Sequence, residues 1–264
     1  MANEYAVNQA DLAAVADAIR AKGGTSDMLM FPDGFIDAVG AIEAGGGIEL
    51  KISGKNVTGL VPFEVSNSDV TSINLRARYI TKMTFPNATN IVDIRGNAEL
   101  EYFTFDHVVS IGASAVSGCS SLKQVVAPEL TTLTPGANFD GCYALEYVKL
   151  DVFQSFTGAY VFSNCTSLKT VILPSITNLG SSTFNSCRSL HALVLGTPDS
   201  TSVVTLGSTA VFNNTPFVGY GGTYSGHVYV PEALIPAYQA ATNWAALYAN
   251  YPDVFAAIEG SEYE

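Results

Sequence analysis

The chain has 264 residues, of which 14% are charged, and its formal net charge is −12 at pH 7. This sparse, acidic charge argues against nucleic acid or an anionic membrane as a partner, because both are bound through basic patches. No apolar run is long enough to span a membrane, so we expect no membrane insertion, and the N-terminus lacks the basic start and long apolar core of a secretory signal. Either the protein is made and assembled in the cytoplasm, which Met1 favours, or a signal has been removed.

Residues 1–47 predict two short amphipathic helices and a flexible joint at glycines 45–47. The first helix begins at the capping residue Asn8 and ends at glycines 23 and 24, and the second begins at Pro32. Such short helices cannot bury enough surface alone. We therefore expect them to dock on the repeats, on a partner or on copies of themselves, for example in a trimer.

The sequence of this segment resembles an N-terminal module of tail-associated proteins from bacteriophages and prophages of Gram-positive gut bacteria. Residues 12–24 (LAAVADAIRAKGG), 31–35 (FPDGF) and 41–42 carry the resemblance. It implies attachment to tail or baseplate proteins, and the alternative is a generic helical cap. The candidate attachment residues are Leu12, Val15, Ile19, Phe31, Phe35 and Val39.

Residues 48–69 read as short strands with turns near Gly54 and Pro62. The open core at the end of a repeat array needs a cap with a polar outer face. We predict that this segment is a β connector that caps the N-terminal end of the repeats.

Residues 70–217 repeat a single frame. A leading Leu or Ile is followed at the third and fifth positions by apolar residues and often by Pro; about ten residues later come an apolar residue, often Gly, and Phe. The leading residues are Ile80, Leu100, Leu122, Leu145, Leu168 and Leu190, which are spaced by 20, 22, 23, 23 and 22 residues. A degenerate seventh unit covers residues 205–217. A period of this size predicts a solenoid whose units share one core.

The unit at residues 165–184 shows how the frame is expected to fold. Residues 171–173 form a short strand with alternating faces, which ends at Pro174 because proline cannot donate the next ladder bond. Leu179 and Phe184 turn inward on the return side. Stacking places neighbouring strands about 4.8 Å apart, so that residues at the same repeat position lie on one another in successive units.

These repeats resemble leucine-rich repeats of the BspA-like kind. Their hallmark, a Phe, a small polar pair and Cys-x-Ser-Leu, appears at residues 162–168 and 184–190. The first unit lacks the Cys, and Asp106, Asp151 and Gly196 replace the Pro. The resemblance implies an α+β repeat solenoid of about six to seven units of 20–23 residues, with the helical module before it and a strand–helix cap after it.

Four cysteines share one repeat position: Cys119, Cys142, Cys165 and Cys187. This placement predicts a ladder of small buried thiols that pack as hydrophobes. The alternative is metal or redox chemistry, but the chain has no CxxC motif and no His at ligand spacing.

Residues 218–264 are predicted to cap the C-terminal end. Residues 219–226 form a loop rich in Gly and Tyr, either a contact site or a turn, before a last strand at residues 227–231. Pro236 then opens one helix that runs to about Tyr248. The sequence of this segment resembles the terminal cap of the same repeat family. The resemblance implies that Trp244, the only tryptophan, is a core plug, a buried side chain that closes the end of the core.

The sequence shows no catalytic constellation, cofactor motif or metal site, so we expect a protein that is not an enzyme. The histidines His107, His191 and His227 lie in different units without a nucleophile motif nearby. Asp106 and Asp151 lie at repeat corners two units apart and are interpreted as turn residues.

A candidate binding surface remains, made by the strand residues that point away from the core. It consists of Lys82, Thr84, Tyr102, Thr104, Gln124, Val126, Tyr147, Lys149, Thr170, Ile172, Ala192 and Val194. Exposed apolar side chains and tyrosines are typical of interaction sites. The alternative is that these residues only satisfy β-propensity.

Together these features predict a phage tail fibre or tail-tip receptor-binding protein, assembled in the host cytoplasm and located in the virion. The N-terminal module would anchor the chain to the tail, and the repeats would contact a glycan or protein of the bacterial surface. One alternative is a BspA-like cell-surface adhesin, which needs an export signal. Another is a glycan-processing enzyme, which needs suitably spaced paired carboxylates.

Overall fold

The computed structural model describes residues 63–66, 72–74, 80–103, 105–136 and 138–264, and within them two parallel β-ladders run along the repeats. The first ladder contains β1 (Phe63–Ser66), β3 (Ile80–Thr84), β5 (Tyr102–Phe103), β7 (Gln124–Val126), β9 (Tyr147–Lys149), β10 (Thr170–Leu173), β12 (Ala192–Leu195), β14 (His227–Val230) and β15 (Phe255–Ala257). The second contains β2 (Ser72–Asn74), β4 (Asn90–Asp93), β6 (Ser110–Ile111), β8 (Thr132–Leu133), β11 (Asn178–Leu179) and β13 (Thr205–Leu206).

Each strand of the first ladder pairs with the strand one unit away. β1, β3 and β5 form one sheet, and β7, β9, β10, β12, β14 and β15 form another, with parallel pairing throughout. A hydrogen bond of 3.4 Å from the Lys123 N–H to the Glu101 carbonyl links the two. The stacked units predicted from the sequence period are therefore observed.

The core lies between the ladders and is filled by the repeated apolar positions. In the unit at residues 165–184, Leu168, Val171, Leu173, Leu179 and Phe184 are all fully buried. β10 ends before the proline, as predicted. A Cβ atom on the glycine that follows Leu179, Gly180, would lie 2.2 Å from the Phe156 carbonyl oxygen, which explains why the frame uses glycine there.

Phenylalanines at one repeat position form a continuous stack. The ring centroids of Phe139 and Phe162 are 5.0 Å apart, those of Phe162 and Phe184 are 5.8 Å apart, and those of Phe184 and Phe212 are 6.1 Å apart, with interplanar angles of 13°, 8° and 7°. The predicted plug Trp244 is fully buried and lies 5.8 Å from Phe212, at the end of this stack. Its indole N–H donates to the Val204 carbonyl at 2.7 Å.

The backbone conformation explains why a small residue precedes the cysteine in each repeat. The residue just before each ladder cysteine adopts a positive φ, which Gly, Asn and Ser tolerate better than large or β-branched residues do. These residues are Gly118 (73°), Gly141 (72°), Asn164 (59°) and Ser186 (62°). The corner conformation is thus set by the same frame that sets the core.

The C-terminal cap differs from the prediction in two ways. The predicted single helix is two helices, α1 (Ile235–Ala240) and α2 (Trp244–Asn250). The break has a physical cause, because Asn243 takes a φ of 66° and its side-chain amide donates to the Leu206 carbonyl at 2.7 Å. β14 is also not the last strand, since the chain returns after α2 and β15 pairs with it in parallel.

The remaining predicted segments have little or no described structure. The helices of residues 1–47, with Leu12, Val15, Ile19, Phe31, Phe35 and Val39, lie outside the described residues. Of the predicted connector at residues 48–69, only β1 is described, and it pairs with β3. Among the described residues, no helix is both long and apolar enough to cross a lipid bilayer.

Candidate functional site

The candidate site is the strand face, which we define as the outward-pointing side chains of the first ladder from β3 to β14. The parallel register aligns these side chains in two rows across the strands. The first row is Lys82 and Tyr102 in the sheet of β3 and β5, followed by Gln124, Tyr147, Thr170, Ala192 and His227 in the sheet that begins at β7. The second row includes Val126, Lys149, Ile172, Val194 and Tyr229. The sequence prediction that these residues share one face is thereby supported by the register.

The first part of the strand face is open to solvent. Tyr102 is 51% exposed, Gln124 is exposed and Tyr147 is half-buried. Half-buried side chains also occupy the second row from β7 to β10, namely Val126, Lys149 and Ile172. Of the other predicted members, Thr84 lies in β3 by its backbone and Thr104 lies outside the described residues.

The prediction of an exposed surface was wrong for the two β12 residues, Ala192 and Val194. Ala192 and Val194 stand in the register of Thr170 and Ile172, but only 5% and 1% of their surface is exposed. Their side chains are therefore closed to solvent although they point away from the core. The open candidate surface therefore ends at β10.

Lysines and acidic residues alternate along the edge of the strand face. The Lys123 ammonium lies 2.5 Å from Glu101 of the preceding unit, and the Lys169 ammonium lies 2.8 Å from Glu146. The hydrogen bond to Glu101 raises the pKa of Lys123, whose ammonium also lies 5.3 Å from the centre of the Tyr102 ring. Exposed pairs of this kind add little to stability, but they place donors and acceptors beside the tyrosines.

From residue 80 onward, the lysines lie on the strand face or along its edge. They are Lys82, Lys123, Lys149 and Lys169, against a chain that carries 24 acidic and 12 basic residues. The Lys149 ammonium pairs with Asp151 at 3.2 Å, at the end of the same strand. The strand face is therefore a mixed-charge, tyrosine-bearing surface on an otherwise acidic protein.

The predicted cysteine ladder is confirmed. All four thiols are unpaired and buried, and each sulfur donates to a carbonyl of the preceding unit, at 3.1–3.3 Å. Asn97 and Thr215 continue the row at its two ends, and both are buried with side-chain hydrogen bonds to the backbone at 2.6 and 2.8 Å. Sequence reasoning noted that the first unit lacks the Cys, but not that Asn97 and Thr215 take the Cys position in the units on either side of the ladder.

This burial predicts that the native thiols resist modification. Burial raises the pKa of Cys119 to about 12 and raises the pKa of Cys142, Cys165 and Cys187 as well. Because the thiolate is the reactive form, we expect labelling by a disulfide reagent at pH 8 to be at least about a hundredfold slower in the folded chain than in denaturant. Fast native labelling of even one thiol contradicts the buried ladder.

The described histidines contact single acidic residues or backbone carbonyls. The His107 ring nitrogen lies 3.2 Å from the Glu129 carboxylate at an exposed position, and the His227 ring nitrogen lies 2.8 Å from the Asp253 carbonyl oxygen. In the part of the chain that the structure describes, no group of three or more His, Cys, Asp and Glu side chains could hold a metal ion.

Sequence reasoning missed three groups around the strand face. The alternation of Glu101, Lys123, Glu146 and Lys169, one residue before successive strands, was available as a charge pattern at the repeat period. Tyr229 could have been found from the alternation in β14. Tyr263, whose ring lies beside that of Tyr229, carries no sequence signal because it follows the repeats by many residues.

Comparison with known proteins concerns mainly the repeats. Residues 95–216 match the family described as BspA type leucine rich repeat region, in six copies. The chain is also similar to a leucine-rich repeat protein of known structure from Bacteroides ovatus, with 18% sequence identity and a TM-score of 0.33 over 64% of this chain. It spans about half the length of that protein, 55%. No curated protein matches the chain.

Proposed function

We propose, on the premise that residues 95–216 are BspA-type leucine-rich repeats, that this chain is a binding protein without catalytic activity that recognises a bacterial surface component through its strand face. The observation that carries the proposal is the open cluster of Tyr102, Lys123 and Tyr147, where the Lys123 ammonium lies 5.3 Å from the centre of the Tyr102 ring. Leucine-rich repeat proteins are generally binding proteins, which supports the absence of catalysis.

The chemistry of this cluster suits a surface glycan or protein. Tyrosines offer a large, stiff contact area with a polar tip, and they lose little conformational entropy on binding. Gln124 lies between the two tyrosines in the first row, and the paired Lys123 and Glu101 add a donor and an acceptor. Stacking on the rings and hydrogen bonding along the row can therefore act on one extended ligand.

For the biological setting, we propose a phage tail fibre or tail-tip protein located in the virion. The support is the sequence resemblance of residues 12–35 to a tail-associated module and the glycine joint at 45–47, which suits a tether. In this arrangement residues 1–47 bind tail proteins or form a trimer, and the repeats bind the host. The alternative is a cell-surface adhesin, which the BspA-type repeats favour.

The binding role predicts a loss of cell binding when the tyrosines are removed. We expect the double variant Tyr102→Ala, Tyr147→Ala to bind intact gut bacteria at least about tenfold more weakly, because central tyrosines are common hot spots. The matched control is Tyr160→Ala, whose side chain is 49% exposed but lies in a return loop instead of the strand face. Equal loss in both variants contradicts the assignment of the surface.

The setting is tested by deleting residues 1–47 and measuring association with isolated tail particles and with cells. Loss of tail association with retained cell binding supports the tail-fibre proposal. Cell binding without any tail association supports the adhesin. Light scattering of the full chain reports the oligomer, and release of sugars from cell envelopes would contradict the absence of catalysis.

A further inference from the structure

β12 is closed on the strand face although its neighbour β10 is open. Ala192 and Val194 stand in register with Thr170 and Ile172, yet the β12 residues are 5% and 1% exposed while the β10 residues are half-buried. All four side chains belong to the same two rows and point away from the core. The difference therefore points to a cover that closes β12 and leaves β10 partly open.

The cover is the segment of residues 260–264. The Tyr263 ring packs edge-on against Tyr229 of β14, with ring centroids 4.7 Å apart, and its hydroxyl faces the Thr170 side chain of β10. β12 pairs with both strands, so β10 and β14 are roughly 10 Å apart. A tyrosine side chain that touches both has to cross β12, and Val194 lies beneath it.

The electrostatic surroundings agree with this placement. Burial raises the pKa of both Tyr263 and Tyr229. The nearby Glu262 carboxylate raises the pKa of Tyr229 further, because its negative charge disfavours the phenolate. Both phenols are therefore partly withdrawn from water. This is expected where two rings shield each other on an otherwise open sheet.

The segment is held by a local turn and not by a further strand. After β15, Ile258 donates its N–H to the Val230 carbonyl at 3.0 Å, and Gly260 takes a φ of +73°, which lets the chain reverse. The Ser261 hydroxyl donates to the Ile258 carbonyl at 2.7 Å and accepts from the Tyr263 N–H at 3.1 Å. Segments with so few long-range bonds open at low free-energy cost.

We propose that residues 260–264 form a strap that occupies the C-terminal end of the strand face as an intramolecular ligand, with Tyr263 as its anchor. A ligand that extends beyond β10 must displace this strap to reach Val194 and Tyr229. The strap is an acidic segment, because Glu262 and Glu264 flank the tyrosine. The competition with ligand rests on the proposed binding function, whereas the closure of β12 does not.

The buried cysteine ladder makes the closure directly measurable. Because the four native thiols are buried, a cysteine introduced by Val194→Cys is the reactive thiol of the full chain. We expect it to react with a disulfide reagent about tenfold or more slowly than one introduced by Ile172→Cys, the next residue in the same row. Adding Tyr263→Ala should raise the Val194→Cys rate to that of Ile172→Cys, whereas Tyr263→Phe, which keeps the ring, should leave it slow.

Two labelling results overturn the strap. One is equal reactivity of the Val194→Cys and Ile172→Cys chains with Tyr263 intact. The other is slow labelling that persists after Tyr263→Ala, since something else must then cover β12. Circular dichroism of each variant confirms that it is folded, and the native chain without added cysteines gives the background rate.

The competition is tested by cell binding of the Tyr263→Ala chain. A strap that is closed nine-tenths of the time lowers the affinity of a ligand that needs this end of the face by about tenfold, so its removal should raise binding by that factor. Unchanged binding, while Tyr102→Ala with Tyr147→Ala still weakens it, overturns the competition. If no chain binds cells, the proposed function fails, and the labelling rates still decide the closure.

Discussion

Replacing Phe162 by alanine should lower the free energy of unfolding by about 3–5 kcal/mol, the range for removing a large buried side chain from a packed core. The ring is fully buried in the middle of the phenylalanine stack. It lies 5.0 Å from Phe139 and 5.8 Å from Phe184, and Phe156 contacts its edge at 5.8 Å. Each unit shares its core only with its neighbours, so no distant contact can compensate.

The measurement is chemical denaturation followed by circular dichroism and by the fluorescence of Trp244, the only tryptophan. The dichroism reports all units, and the tryptophan reports the C-terminal end. Phe162→Leu, which keeps most of the volume, should cost less than about 1.5 kcal/mol. Tyr160→Ala, an exposed ring two residues away, should change stability by no more than about 0.5 kcal/mol. A loss below 1 kcal/mol for Phe162→Ala would mean that the stack does not carry the core.

Replacing Trp244 by alanine should cost a similar amount, about 3–5 kcal/mol, and should open the C-terminal end of the repeats. The indole is fully buried. Its ring centroid lies 5.8 Å from that of Phe212, 5.5 Å from that of Tyr238 and 5.8 Å from that of Phe255. Its N–H also donates to the Val204 carbonyl, which would lose this bond. A repeat array without its cap exposes the core of the last unit to water.

The expected signature is local as well as global. Amide hydrogens of β14 and β15 should exchange faster relative to those of β7 and β9, and the chain should bind a hydrophobic dye. Trp244→Phe keeps an aromatic ring but removes the indole donor, so it should cost about 1–2 kcal/mol. Unchanged exchange in β14 and β15 after Trp244→Ala would contradict the role of the tryptophan as a plug.

The sequence predicted most of the repeat architecture because its signals are periodic. The buried residues of each unit, the cysteine ladder and the end of β10 before Pro174 all follow from one frame read at a spacing of 20–23 residues. Stacked parallel strands bury like residues on like, so the frame specifies the core with no knowledge of distant contacts. The C-terminal helix prediction failed because the bond from Asn243 to Leu206 joins residues that no period relates.

The candidate site was predicted only in part. The outward rows follow from strand alternation, and Tyr102, Gln124 and Tyr147 lie where the alternation places them. Val194 obeys the same alternation but is buried, because exposure depends on what lies above a face as well as on the direction of the side chain. Residues 1–47, on which the tail-fibre proposal depends, lie outside the described residues.

The sequence by itself determined the solenoid, its core positions and the rows of outward side chains, because stacking turns a local period into neighbouring contacts. The tertiary structure alone decided which part of the strand face is open. That outcome depends on Tyr263 reaching across β12 to Tyr229 and Thr170, and such a contact arises from the path of the chain after β15. Contacts between residues far apart in a sequence, without a shared period, leave no pattern from which they can be predicted.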